Sequence, residues 1–243
     1  MGSRAIAAAA FLGLSSCSEM SAAPPTCEAI GAAASLLPTQ CGPTLDLTPI
    51  NDYHGEIAAV QDREDAVALI AGDCTGTLID AQAGPVVLTA GHCVGLGGRV
   101  LVAFNVEANP DGDELVTDGT VIEQSSDPDY ELIQLDELPA VAPTPLTSRP
   151  SDLLAIIQHP RGGPKVVAEG RFASECNGLL FYTDLDTLVG SSGAGVLNRQ
   201  GFVVGIHTDG DCATDGGGSN FGSTAASIVQ ASSYLQDSDI ADR

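Results

Sequence analysis

In Val87-Leu88-Thr89-Ala90-Gly91-His92-Cys93 an apolar run closes in small residues and delivers a histidine beside a cysteine. A strand that ends this way carries at its tip an imidazole, a group able to take and return a proton near neutral pH. Upstream, Cys74-Thr75-Gly76-Thr77-Leu78-Ile79 supplies a second strand that begins with cysteine. A Cys74–Cys93 bridge would clamp the loop that holds His92. His-Cys alone is often only a structural corner; the full run is far more specific.

Outward from this stretch the chain is a succession of short apolar or alternating runs. They are Ala66–Ile70, Cys74–Ile79, Val86–Thr89, Val100–Val106, Tyr130–Leu135, Leu153–Ile157, Leu179–Thr183 and Phe202–His207, with Gly, Pro, Asp and Asn between them. Many short strands at regular turn signals predict an all-β barrel or sandwich. Helical periodicity is confined to Ser223–Leu235, where Ala226, Ile228, Val229 and Tyr234 allow one C-terminal helix. Glu137–Ser151, with Pro139, Pro143, Pro145 and Pro150, reads as a crossing between two halves. The folded domain is expected over residues 46–236, its halves at 60–140 and 150–222, its helix at 223–235. Residues 18–45, rich in Ala, Pro, Ser and Thr, read as a tether or pro-segment.

The first residues read as a targeting segment. Arg4 gives a positive start, and the apolar run Ala5–Leu14 is too short to span a bilayer. Leu14-Ser15-Ser16-Cys17 then resembles a bacterial lipobox, whose cysteine is lipidated and becomes the mature N-terminus. An ordinary signal peptide, with Cys17 discarded, is the alternative. Either way the chain is expected to be exported, as a lipid-anchored protein facing the periplasm or exterior, or as a secreted one. Six further cysteines, Cys27, Cys41, Cys74, Cys93, Cys176 and Cys212, then read as up to three disulfides. A zinc site lacks any CxxC or HxxxH spacing.

The 243 residues suffice for one large all-β domain or two small barrels sharing a core, and a 44% hydrophobic content can fill it. With 32 acidic against 9 basic residues the net charge is -23, which repels a phosphate backbone and excludes nucleic acid as a partner. The acids are scattered, as on a charged soluble surface. Asp111-Gly112-Asp113-Glu114 offers oxygens to Ca²⁺ but does not complete an EF-hand loop, so no metal or cofactor is expected.

Two more stretches carry chemistry. Asp129-Tyr130-Glu131-Leu132-Ile133-Gln134-Leu135 places an acid at the head of an apolar strand, where it can accept a hydrogen bond from a histidine. Asp127 and Glu131 are rivals, but Asp129 sits at the strand entry. Gly190-Ser191-Ser192-Gly193 is a turn that exposes a serine hydroxyl and lets the Gly190 and Ser192 N–H groups aim at one spot, as an oxyanion hole requires. Gly201-Phe202-Val203-Val204-Gly205-Ile206-His207 follows as an apolar strand able to wall a substrate pocket.

Together, in the order His, Asp, Ser, these stretches resemble the bacterial chymotrypsin-like (trypsin-like) serine peptidases. Subtilisins and α/β-hydrolases order the three differently. The resemblance covers roughly residues 60–225, with a weaker echo in Ile156-Ile157-Gln158-His159-Pro160. It implies two six-stranded antiparallel β-barrels with a cleft between them, and peptide-bond hydrolysis. It makes His92 the base, Asp129 its orienting acid, Ser192 the nucleophile, and Gly190 and Ser192 the oxyanion donors. A protein or peptide substrate and a monomeric enzyme are expected.

Ser191 departs from the digestive members, which carry there an acid that pairs with a new N-terminus, so direct folding into the active form is expected. On specificity the resemblance divides. Asp186 falls where trypsin-like members bind a basic P1 side chain, the residue preceding the cut bond. Thr187 and His207 fall where glutamyl endopeptidases hold an acidic one, and this reading is put slightly ahead. Likeness to lysyl endopeptidases implies Cys27 or Cys41 paired with Cys212; the alternative is Cys176–Cys212 with Cys27–Cys41. A catalytically silent surface lipoprotein that binds through its cleft, and an esterase blind to peptides, are the competing functions.

Overall fold

The computed structural model describes residues 39–112 and 114–241. The targeting segment with Cys17, most of the expected tether with Cys27, and Asp113 lie outside the described residues. A short strand β1 (Thr48–Pro49) leads in. Then come β2 (Val67–Ile70), β3 (Cys74–Ile79), β4 (Val86–Thr89), β5 (Arg99–Phe104), β6 (Leu115–Ser126) and β7 (Asp129–Leu135). These six close, antiparallel, into a barrel in the order β2-β3-β4-β7-β6-β5. Exposed and buried residues alternate at the start of β5, as on a strand with one face to the core. β3 is buried along its whole length, because the second half of the molecule covers its outer side.

That second half comprises β8 (Leu153–Gln158), β9 (Val166–Cys176), β10 (Leu179–Thr183), β11 (Gly195–Leu197), β12 (Val203–Ile206), β13 (Asp209–Gly210) and β14 (Asn220–Ser223). Their order is β12-β11-β8-β9-β10-β14-β13, with β1 against β9, an eight-stranded sheet. Its closure is thinner than that of the first barrel. β13 takes the edge of β14 at Asn220 and Phe221, so among the described residues β12 pairs with that end only through the bridge from Gly205 to Thr224. At this seam a Cβ on Gly222 would lie 1.7 Å from the Ile206 carbonyl oxygen. The edges approach only because that position has no side chain.

Three apolar clusters form among the described residues. One lies inside the first barrel around Ile70, Leu78, Val102 and Phe104; another fills the second half around Ile156, Leu180, Tyr182 and Val196. The third joins Leu88, Tyr130 and Leu132 to Ile157, Val203 and Ile206 across the halves. Each large side chain so buried contributes about 1.5–3 kcal/mol, so the shared cluster welds the halves together. The crossing segment is stitched to both: the Thr144 N–H donates to the Leu78 carbonyl at 2.8 Å, and the Val203 N–H to that of Pro145 at 2.9 Å.

A buried ion cluster, unforeseen from the sequence, adds another tie. Lys165, just before β9, places its Nζ on the carboxylates of Glu64 and, at 2.8 Å, Glu107, which flank β2 and β5. Helix α1 (Ala225–Ala231) is shorter than the expected 223–235. The Thr224 hydroxyl caps its start by accepting the Ser227 N–H. At its end Ser232 turns extended and its hydroxyl donates to Glu123. Disulfides join Cys74 to Cys93 and Cys41 to Cys212. Cys212 is therefore not paired with Cys176, which is itself disulfide-bonded.

Candidate active site

His92 stands on the turn after β4, pinned by the Cys93 disulfide on one side and by the first barrel on the other. The Gln124 side chain donates to the Gly91 carbonyl at 2.6 Å. Glu131, the rival acid, is wholly buried and accepts the Val94 and Gly95 N–H groups at 3.2 and 2.6 Å. It shapes the loop and is not free to orient the imidazole. Asp129, at the head of β7, is: its Oδ2 lies 2.7 Å from His92 Nδ1. This hydrogen bond raises the His92 pKa above its ordinary 6.5 against the opposing effect of burial, and the charges of Asp129, Asp209 and Glu131 add to it.

The turn before β11 sorts the two serines. Ser191 is fully buried, and its Oγ accepts the Leu188 N–H at 3.0 Å. Ser192 is half-buried and lines a cleft of about 640 Å³ together with His92, Asp129, Gly190 and His207. Gly193 then turns at φ +83°, where a Cβ would lie 2.1 Å from the Thr89 hydroxyl and 2.3 Å from the Thr75 carbonyl. Only glycine lets the turn press so closely on β3 and β4.

The backbone of this turn is oriented from two sides, by the Arg161 loop and by Thr75. The Val189 carbonyl accepts the Arg161 N–H at 2.6 Å. In a trans peptide the N–H points opposite the carbonyl, so that bond turns the Gly190 N–H away from the Arg161 loop. Thr75, buried at the start of β3, donates its hydroxyl to the Gly190 carbonyl at 2.8 Å and its N–H to the Ser192 carbonyl at 2.9 Å. Among the described residues neither the Gly190 nor the Ser192 N–H has an acceptor. The cleft thus holds a serine, a histidine with its carboxylate, and two uncommitted backbone donors.

The candidate specificity residues part company. Asp186 is 1% exposed. Its two oxygens accept the Cys41 and Asp46 N–H groups at 2.6 and 2.5 Å, which anchors the N-terminal segment. Thr187 is equally buried, tied to the Thr39 hydroxyl and to Asn220. Neither forms part of the cleft wall, whereas His207 does. Behind His207 stands Tyr182 of β10, a partner with no signal in the sequence, its hydroxyl 2.6 Å from Nδ1. Burial, with His92 adding to it, pushes His207 down to about 3. Asp209 of β13 is a second wall residue that sequence reasoning did not single out as a site residue.

Among the described residues one group of acids, Glu64, Asp65 and Asp111, comes close enough together to hold a metal ion. Glu64 already pairs with Lys165, and the group takes no part in the cleft wall.

A family model described as the trypsin-like peptidase domain matches residues 74–206. No curated protein matches the chain. Among solved structures it is similar to the serine endoprotease from Yersinia pestis, at 18% identity and a TM-score of 0.58, over 72% of this chain and 64% of that one. The chain thus spans just under two thirds of that protein's length. It is similar also to the MamO protease domain from Magnetospirillum magneticum, at 18% identity and a TM-score of 0.55, over 72% of this chain and 98% of that one. At such identity these likenesses speak for the fold. The family model, however, runs over more than half of the sequence, from the first cysteine of β3 to the last residue of β12, and the chain belongs to the trypsin-like peptidase domain family.

Proposed function

We propose that this chain is a serine endopeptidase working through an acyl-enzyme on Ser192. One observation carries the proposal: the His92–Asp129 hydrogen bond lies in the wall of the same cleft as Ser192 and the two uncommitted N–H groups.

Asp129 accepts the Nδ1–H, which leaves Nε2 of His92 as the basic nitrogen facing the cleft. As the Ser192 oxygen bonds to the substrate carbonyl carbon, its proton passes to Nε2, and the imidazolium is stabilised by Asp129. Negative charge on the carbonyl oxygen is met by the Gly190 and Ser192 N–H groups; one such donor is worth about 3–4 kcal/mol of barrier. The imidazolium then protonates the departing amine, and a water molecule, deprotonated by His92, cleaves the ester and restores Ser192.

The substrate is a polypeptide in extended form. Among the described residues β13 ends its sheet with β14 as its sole strand partner, and Asp209 and Gly210 line the cleft, so the other edge of β13 can pair with a substrate backbone. The P1 side chain is read by His207 in this proposal, and a basic P1 is not favoured, since Asp186 is committed to the Cys41 and Asp46 N–H groups. Export, with Cys17 as the point of lipid attachment, belongs to the same proposal, and the disulfides support an oxidising destination.

Casein digestion beside p-nitrophenyl ester turnover tests this reading, with Ser192→Ala as control. Casein cleavage that disappears in Ser192→Ala supports it. Ester turnover without casein cleavage would indicate an esterase, and neither activity a binding protein.

A further inference from the structure

Tyr182 and His207 form a buried pair whose protons can be assigned. The Tyr182 hydroxyl lies 2.6 Å from His207 Nδ1. Burial, with the Asp209 charge adding to it, pushes this phenol well above its ordinary value. It therefore keeps its proton and donates it, so Nδ1 accepts. The single ring proton of the neutral imidazole then sits on Nε2. That nitrogen has no protein partner among the described residues, is not sealed in, and belongs to a side chain of the cleft wall.

The charges around it are of one sign. Asp73, Asp129 and Asp209 line the cleft, and among the described residues no Lys or Arg does. A P1 carboxylate would gain the Nε2–H but face these acids with no cation to offset them. A P1 ammonium or guanidinium would meet a donor with another donor. An apolar side chain would cover the Nε2–H and leave it unpaired, a costly arrangement in a buried site. A primary carboxamide fits: its carbonyl accepts from Nε2–H, and its NH₂ can face the acidic wall.

We infer that the cleft selects a carboxamide at P1, glutamine above all, through the His207 Nε2–H that Tyr182 holds in place. This rests on the peptidase reading of the same cleft. Tyr182 is a positioning residue, and His207 is the group that touches substrate.

The test is kcat/KM on one peptide series differing only at P1 (Gln, Glu, Lys, Leu), with fluorophosphonate labelling of Ser192 alongside. Gln is expected to exceed each of the others by about tenfold or more. In Tyr182→Phe the His207 proton is free to move between its nitrogens, and the Gln-to-Leu ratio should shrink by about fivefold or more. Equal or faster cleavage after Glu, Lys or Leu overturns the inference, as does an unchanged ratio in a folded Tyr182→Phe, or labelling without cleavage of any peptide. The wild-type ranking decides even if the variant fails to fold. Failure of Ser192 to label would instead defeat the peptidase reading itself.

Discussion

The Thr75 hydroxyl donates to the Gly190 carbonyl at 2.8 Å and accepts the His159 N–H at 2.9 Å. One side chain of β3 therefore couples the turn that carries the proposed oxyanion donors to the loop that holds the Val189 carbonyl. Thr75→Val keeps the shape and removes both bonds, stranding buried polar groups at a cost of about 1–3 kcal/mol. The expected result in steady-state kinetics is a fall in kcat of about 10–100-fold with KM little changed, and recovery of most of the loss in Thr75→Ser. A purely structural role would lower stability without that split.

The His92–Asp129 bond sets the pH dependence. Asp129, ahead of the other causes, raises the His92 pKa, and in the proposed mechanism His92 must be neutral to act as base. The rising limb of kcat/KM against pH should accordingly lie above 6.5, with activity lost as pH falls through it. Asp129→Asn removes the cause, so the limb should move down while activity drops about ten-thousandfold.

His159 and His207 predict the acid limit of stability. Burial pushes them to about 4 and about 3, respectively. Both folded values lie below the unfolded one, so the unfolded chain takes up these protons first as pH falls below 6.5. The stability they contribute is complete above 6.5 and is lost toward pH 4 and below. Denaturant unfolding between pH 4 and 6.5 should show a slope shallower by about 1.4 kcal/mol per pH unit in His159→Gln than in wild type.

Lys165 is the cation between two buried acids. Lys165→Met would leave the Glu64 and Glu107 carboxylates facing each other without it. A loss of about 3–5 kcal/mol is expected, read as a lower denaturant midpoint at neutral pH.

Strand placement was legible where burial is dense. β3, β4 and β10 have the bounds that their apolar runs predict. β6 and β9 gave no such signal, because much of β6 and the second half of β9 is polar and solvent-facing. At the site, the stretches that bring His92, Asp129 and Ser192 to one cleft were legible because strand ends and glycine turns are local chemistry. The commitment of Asp186 to the Cys41 and Asp46 N–H groups was not, nor was the Tyr182–His207 pair, since each joins positions far apart in the chain. Residue type alone left Asp186 free to be a specificity acid; only the fold brings the N-terminal segment onto it.

In the proposed mechanism Ser192, and not its neighbour, is the nucleophile. Ser191 gives its oxygen to the Leu188 N–H and is buried, whereas Ser192 faces the cleft with His92. Fluorophosphonate labelling followed by peptide mass mapping tests this directly on wild type, Ser191→Ala, Ser192→Ala and His92→Ala. The adduct is expected on Ser192 in wild type and in Ser191→Ala, and no adduct in Ser192→Ala or His92→Ala. An adduct on Ser191, or labelling of Ser192→Ala at the wild-type rate, would contradict the account.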